Sequence, residues 1–239
     1  MQGRIQIIKT FIISQFLYTS SSIHVPNKYI KAINKVIFNF LWKNKKEKIK
    51  RSTLHKDKDH GGLNVPDFSL MINASRLGWL KKYVAGTDHF WKELFEEFLE
   101  RSGFNPHILL FANYNINWLT AKNILPSFYI EALSEWLKIG NTSPVPKESF
   151  IWYNKNILIE NRPIFYQDFY ENGICHFGDL YNNNREIIPF EIWQGKGITQ
   201  LHFLKWAGIV TAISKNLQAS TCATSETALD LQIMDIYIN

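Results

Sequence analysis

Residues 26–43 read PNKYIKAINKVIFNFLWK, and this is the clearest helical pattern in the sequence. Its apolar side chains recur at the i, i+3, i+4 and i+7 spacings of an amphipathic helix, and a proline suits the first helical position. At about 100° per residue, six of these side chains fill an arc of about 140°. They are Ile30, Ile33, Val36, Ile37, Phe40 and Leu41. The stretch therefore predicts a helix that turns this arc toward a hydrophobic core.

The same helix is predicted to carry a cationic face. Lys28, Lys31 and Lys35 fall within about 60° of one another, on the side opposite the apolar arc. Phe38 and Trp42 project near these lysines, so each of them either stacks on an external partner or packs beneath a neighbouring helix. We favour packing, because large aromatic side chains of helical proteins usually end in a core.

A dense basic run follows in residues 43–51. Six of these nine residues are basic and they lack the apolar periodicity of a strong helix, so we expect an extended or looped segment. The basic residues are Lys43, Lys45, Lys46, Lys48, Lys50 and Arg51. A run of this density can neutralise several phosphates. The alternative is a solvated loop, and we favour phosphate binding because the preceding helix has a cationic face.

The composition is that of a folded protein, and its charge is uneven along the chain. Of 239 residues, 46% are hydrophobic and 20% are charged, with 12 glycines and 8 prolines, which excludes disordered, collagen-like and low-complexity chains. Residues 1–60 hold 13 Lys or Arg against three acids, whereas the remaining residues hold 14 against 18. A basic front segment on a mildly acidic body is typical of a protein that faces nucleic acid or an anionic membrane surface.

The other periodic segments predict a mainly α-helical fold. We expect an N-terminal helix of about four turns, and a helix over residues 67–84 in which Arg76, Lys81 and Lys82 extend the positive surface. Further helices are predicted at residues 88–101, 127–139, 163–171 and 199–214, and short strands near residues 157–159 and 187–189.

These elements suggest three parts of the chain. Residues 1–86 are expected to form a basic helical module, a compact helical bundle. Residues 87–217 are expected to form a second, aromatic-rich and mostly helical region with minor short strands. Residues 218–239 form a tail with no clear structural pattern, and its first part, Gln218 to Ser225, has no aromatic or basic residue.

No residue pattern points to catalysis. The sequence has no adjacent aspartate pair, no glycine-rich phosphate loop and no HExxH motif. Its two cysteines, Cys175 and Cys222, cannot supply a disulfide framework or a four-cysteine zinc site. Four residues of one lysine-rich loop could in principle converge on a metal ion, namely His55, Asp57, Asp59 and His60. We expect an ordinary polar loop there, and we predict a non-enzyme with no catalytic residue, no metal and no cofactor.

Cysteine usage and hydropathy bear on the compartment. With only two cysteines, a reducing compartment is the default expectation. No apolar run approaches the roughly 20 residues that span a bilayer. We therefore expect a cytoplasmic or nuclear protein that is neither secreted nor integral to a membrane.

Short motifs follow one another in a distinctive order along residues 3–84. They are Gly3-Arg4 with Ile5, Ile7, Ile8 and Lys9, then Leu17-Tyr18, Val25-Pro26, IFNFLW at 37–42, the segment 50–54, and GGLNVPD at 61–67. In order and spacing these motifs resemble the region just after the polymerase palm in LINE-type (non-LTR) retrotransposon reverse transcriptases. Looser similarity to the segment that follows the thumb continues through Phe90-Trp91, FIWYN at 150–154, and the stretches 169–180 and 203–213. The resemblance covers residues 3 to about 217.

This resemblance implies a helical thumb that packs against the template–primer duplex, followed by a linker or wrist-like region that touches RNA. It also implies that the paired metal-binding aspartates of the polymerase belong to the fingers and palm, which would lie upstream of Met1. We therefore expect the chain to be an internal fragment of a mobile-element polymerase, without the fingers and palm of its parent.

The sequence thus predicts a non-catalytic module that grips RNA or an RNA–DNA duplex through its phosphates, without sequence preference and without a membrane partner. The predicted contact residues are Lys28, Lys31, Lys35, Lys43, Lys45, Lys46, Lys48, Lys50 and Arg51. Two alternatives stay open. One is RNA-directed DNA polymerisation, an activity that would belong to the parent protein, and the other is a genomic remnant without function.

Overall fold

The computed structural model describes residues 1–86, 89–140, 150–182, 186–194 and 198–220. Their secondary structure is mainly helical with one short two-stranded sheet, which confirms the predicted fold class. The chain divides into two compact units, the first of Met1–Thr87 with Pro126–Glu135 and the second of Asp88–Leu125 with Trp136–Asn239. Most of the predicted tail, residues 221–239, lies outside the described residues.

The first unit begins with a continuous helical stretch. Its parts are α1 (Gln2–Ile7), a π-helical segment (Ile8–Ile13) and α2 (Ser14–Ser20). Ile5, Ile8 and Ile13 are buried and belong to the core of the unit. Arg4 Nη1 donates a hydrogen bond of 2.6 Å to the carbonyl oxygen of Leu41. A cation is favourable at that position because the last carbonyls of a helix carry partial negative charge.

The predicted helix over residues 26–43 is present as α3 (Asn27–Trp42). Its buried residues are Ile37, Phe38 and Leu41. Val36 and Phe40 were predicted to face the core, but they are 56% and 37% exposed, so this part of the prediction is wrong. The physical reason is that the buried residues span about 100° around the helix and are centred near Leu41, about 80° from the centre of the predicted arc in the direction of Phe38. The covered face is rotated away from Val36.

A tight turn connects the short helix that follows α3 to the next long helix. The two helices are α4 (Arg51–His55) and α5 (Phe68–Val84), and α5 confirms the helix predicted there. A Cβ atom at Gly62 would lie 1.9 Å from the carbonyl oxygen of Lys56, so only glycine fits this turn. The N–H of Val65 donates to the carbonyl of Leu54 at 3.0 Å. Asp67 then caps α5 by accepting hydrogen bonds from its first backbone N–H groups.

One cation predicted for the surface lies in the core of the first unit. The Arg76 side chain is 1% exposed. Its Nη1 and Nη2 atoms donate to the carbonyl oxygens of Ser20 and Ile23, each at 2.6 Å, and Nη2 lies 3.2 Å from Glu131 Oε2. The prediction that Arg76 extends the positive surface is therefore wrong, because α2 and the segment Pro126–Glu135 cover it. This segment falls within the predicted second region, residues 87–217, whereas in the structure it belongs to the first compact unit.

The remaining helices and strands mostly follow the predicted order. They are α6 (Phe90–Arg101), α7 (Pro106–Leu109), α8 (Ile116–Ala121), α9 (Ser127–Gly140), β1 (Leu158–Ile159), β2 (Arg162–Pro163), α10 (Gln167–Glu171), α11 (Phe190–Gln194) and α12 (Phe203–Ser220), with 3-10 turns at Phe177–Leu180 and Gln200–His202. The helices predicted at 88–101, 127–139 and 199–214 are thereby confirmed. The strand predicted near 187–189 is a single antiparallel bridge between Ile187 and Tyr181.

The helix predicted at 163–171 begins four residues late, at Gln167. The first residue of the predicted helix, Pro163, pairs instead with Leu158 of the strand expected near 157–159, because β1 and β2 form an antiparallel hairpin. The two loop residues, Glu160 and Asn161, have φ angles of +53° and +62°. Positive φ at both central positions is the geometry of a two-residue hairpin turn.

The second unit has an aromatic segment, residues 150–154, in its core. All five residues of this FIWYN sequence are buried. Trp152 Nε1 donates to the carbonyl of Ile174 at 2.8 Å, and Asn154 Nδ2 donates to the carbonyl of Phe150 at 2.6 Å. These bonds satisfy polar groups that burial would otherwise leave without partners. The motif therefore has a structural role in the core of this unit.

Candidate nucleic-acid interface

All nine predicted contact residues are exposed. We call eight of them the lysine surface: Lys28, Lys31, Lys35, Lys43, Lys45, Lys46, Lys48 and Lys50. Within the described parts of the chain, none of these eight amines forms a hydrogen bond or an ion pair with another side chain. The lysine surface is therefore open to solvent or to an anionic ligand.

Phe38 joins the basic run to α3. The guanidinium carbon of Arg51 lies 4.2 Å from the centroid of the Phe38 ring, and the His55 ring packs edge-on against it at 5.8 Å. Arg51 and His55 are four residues apart, so they share one face of α4 and both contact Phe38. This confirms the prediction that Phe38 packs beneath a neighbouring helix. Trp42 is partly buried and packs against the same core, which confirms the prediction for it as well.

The contact with Phe38 brings the end of the run to the lysine-bearing side of α3. Around the helix, Phe38 lies about 20° from Lys31 and about 60° from Lys35. Lys35 is three residues from Phe38, which corresponds to about 4.5 Å along the helix axis. The chain thus leaves α3 at its last residue and returns beside its lysines at Arg51. The loop between these two points, residues 43–50, carries the lysines of the basic run.

The start of this loop is also ordered. Lys43 and Asn44 have φ angles of +52° and +58°, so the chain turns sharply at the end of α3. The N–H of Asn44 donates to the carbonyl of Asn39 at 2.8 Å, and the N–H of Lys45 donates to that of Trp42 at 3.1 Å. These bonds satisfy carbonyls at the end of the helix. The looped segment predicted from the sequence is confirmed over residues 43–50.

Arg51 differs from the eight lysines because it already has an anionic partner. Its Nε atom lies 3.1 and 3.0 Å from the two carboxylate oxygens of Glu47, and its Nη2 atom donates to Oε1. The hydrogen bonds lower the pKa of the Glu47 carboxyl and raise the pKa of the Arg51 guanidinium. The looped segment predicted over residues 43–51 therefore ends one residue early, since Arg51 opens α4 and is paired with Glu47. The four-residue spacing of acid and base was a signal for this pair, which the charge count overlooked.

Three of the four residues considered for a metal site have other partners. His55 Nδ1 lies 2.9 Å from the carbonyl oxygen of Val65, and its Nε2 lies 3.9 Å from a carboxylate oxygen of Asp67. His60 pairs with Asp57. Among the residues that the structure describes, no three His, Cys, Asp or Glu side chains gather as a metal ion would need.

The surroundings of Cys175 disfavour its reactive thiolate form. Burial, and to a lesser extent the nearby charge of Asp179, raises the pKa of the Cys175 thiol. The same carboxylate accepts hydrogen bonds from the backbone N–H groups of Cys175 and His176 at 2.8 and 2.6 Å. Because the thiolate is the nucleophile, these surroundings disfavour nucleophilic chemistry at this residue. Cys222 lies outside the described residues.

In the second unit, a hydroxyl, an imidazole and a carboxylate form two successive polar contacts. Thr199 Oγ1 is 3.0 Å from His202 Nδ1, and His202 Nε2 is 3.1 Å from Asp168 Oδ2. Thr199 and His202 also cap each other's backbone, as each side chain accepts the other residue's N–H. The arrangement therefore closes a 3-10 turn, which is a structural role for both side chains.

A search of the whole sequence against models of known protein families finds no family that matches. In the described part of the chain, no helix is both long enough and apolar enough to cross a membrane.

Proposed function

We propose that this protein is a non-catalytic nucleic-acid-binding module of the kind found in the thumb region of LINE-type reverse transcriptases. It grips the phosphate backbone of RNA or of an RNA–DNA duplex without sequence preference. One observation carries this proposal. Arg51 lies against Phe38, so the loop lysines and the helix lysines belong to one exposed surface of the first unit.

The chemistry of this surface suits phosphate better than it suits base edges. A lysine amine is a compact point charge that contacts phosphate oxygens without reading sequence. Because none of these amines forms a hydrogen bond or an ion pair with a described side chain, phosphate binding has no such bond to break. Four to six phosphate contacts would give a log–log salt slope of about −3 to −5.

A lysine-substitution series tests the proposal. We expect Lys45→Gln, Lys46→Gln, Lys48→Gln and Lys50→Gln together to flatten the salt slope by about one unit per lost contact, and to weaken all sequences alike. The measurement is fluorescence anisotropy of labelled RNA and RNA–DNA duplexes at several KCl concentrations.

A matched pair separates a specific surface from general charge. K45Q/K46Q and K81Q/K82Q each remove two adjacent exposed lysines, but only the first pair belongs to the lysine surface. The first pair should weaken binding more than the second. Equal effects of the two pairs, or a quadruple variant that binds like the unmodified protein, would show that the run is only a solvated loop.

A further inference from the structure

Arg51 is held in the geometry that a phosphate contact needs. Three hydrogen bonds join its Nε and Nη2 atoms to the Glu47 carboxylate, and the Phe38 ring supports the guanidinium from one side. A guanidinium stacked on an aromatic ring presents its donors in a fixed fork that matches carboxylate and phosphate oxygens alike. The Glu47 carboxylate therefore stands where two phosphate oxygens could stand.

The pair is also accessible to a competing anion. The Arg51 and Glu47 side chains are 46% and 36% exposed. Arg51 Nη1 has no hydrogen-bond partner among the described residues, so an incoming oxyanion can contact this atom before Glu47 leaves. Exposed ion pairs contribute little to stability, and exchanging one anion for another leaves the guanidinium satisfied.

We propose that Arg51 is a phosphate-binding subsite and that Glu47 is its resident anion, which a nucleic-acid phosphate must displace. The inference rests on the proposed function, because it takes the lysine surface as the site that brings the phosphate backbone to Arg51. It predicts that Glu47 weakens binding by occupying Arg51, which follows directly after the loop lysines of this surface.

The test is a double-mutant cycle with a charge-matched control. At 0.15 M KCl, Glu47→Gln should tighten the binding of a single-stranded oligouridine by about threefold to tenfold and steepen the salt slope by about one unit. Arg51→Gln alone should change affinity less than twofold, and E47Q/R51Q should lose the gain of E47Q. Asp59→Asn removes one negative charge from the basic front segment, residues 1–60, and it should give a smaller gain because Asp59 forms no described hydrogen bond or ion pair with Arg51.

A second readout follows Arg51 directly and does not need RNA. The NMR signal of its Nε–H group, assigned by its loss in R51Q, should shift on titration with inorganic pyrophosphate, at lower pyrophosphate concentration in E47Q than in the unmodified protein. If R51Q loses structure by circular dichroism, Arg51→Lys replaces it, since lysine keeps the charge and loses the fork.

The outcomes separate this inference from the proposed function. Equal gains from E47Q and D59N, weaker binding by E47Q, or an Nε–H signal that pyrophosphate does not shift would overturn the inference while lysine-dependent binding stands. If the lysine substitutions leave RNA affinity unchanged, the proposed function is overturned. The pyrophosphate titration would still test whether Arg51 binds a phosphate.

Discussion

At the scale of single residues, two arginines of the first unit have opposite surroundings. Arg51 is exposed and pairs with a carboxylate four residues away, whereas Arg76 is buried and donates to two backbone carbonyls and to Glu131. Glu131 also lies 2.6 Å from Nδ1 of His24. A buried cation of this kind is retained only where its donors are satisfied, because an unpaired charge in a core is strongly unfavourable.

Replacing Arg76 should therefore destabilise the protein much more than replacing Arg51. We expect Arg76→Gln to lower the free energy of unfolding by about 3 kcal/mol, since it leaves buried carbonyls and part of a carboxylate without their partner. Arg51→Gln should lower it by at most about 1 kcal/mol, because its ion pair is exposed. Urea denaturation followed by tryptophan fluorescence measures both. Similar losses in the two variants would contradict the buried network around Arg76.

At the scale of elements, α3 presents three different faces. One face is buried and contains Ile37 and Leu41, and another carries the lysines. The third is apolar and exposed, with Val36 and Phe40 on it. The helix itself follows from the periodicity of its residues. Which apolar residues it buries depends on where α1 and α5 contact it, and local periodicity does not carry that information.

Two neighbouring positions of α3 test this division. Ile37 is fully buried and Val36 is 56% exposed, although the two residues are adjacent and similar in size. We expect Ile37→Ala to lower the free energy of unfolding by about 2 to 5 kcal/mol, through lost burial and a cavity. Val36→Ala should change it by less than about 0.5 kcal/mol. Urea denaturation of both variants is the measurement, and a larger loss for Val36→Ala would place the core on the other side of the helix.

At the scale of the whole molecule, the distribution of charge along the chain agrees with the proposed binding of a polyanion. The net charge of +6 is the sum of a strongly basic front segment and a mildly acidic remainder. The lysine surface lies in the first unit, and the second unit has an aromatic segment in its core. Attraction to polyanions through one basic surface needs no catalytic residue, because backbone contacts are largely electrostatic.

The whole protein is expected to lack polymerase activity. Two-metal nucleotidyl transfer uses carboxylates that hold two ions, and this sequence has no adjacent aspartates. Purified protein should therefore incorporate no nucleotide on a primed RNA template with Mg²⁺ or Mn²⁺. A preparation from cells with empty vector sets the background, and an active reverse transcriptase shows that the assay works. Template-dependent extension above background would mean that carboxylates from distant positions assemble into a metal site.

The helical class, the positions of α3 and α5, and the loop of lysines follow from local sequence patterns. Each of these depends on residues close together in the chain. An apolar period near 3.6 residues indicates a helix. A segment with six cations in nine residues stays at the surface in any fold, because burying unpaired charges is unfavourable. The exposure of the lysine surface was predictable for the same reason.

Which charged and apolar residues face the core depends on tertiary contacts between segments that are distant in sequence. The burial of Arg76 requires the carbonyl of Ser20 at the end of α2, the carbonyl of Ile23 just after it, and a carboxylate 55 residues further along the chain. The exposure of Val36 and the packing of Arg51 on Phe38 depend likewise on which helices meet α3 and α4. A sequence pattern shows which side of a helix is apolar or charged. The residue that covers that side comes from a distant part of the chain, so its identity is a property of packing.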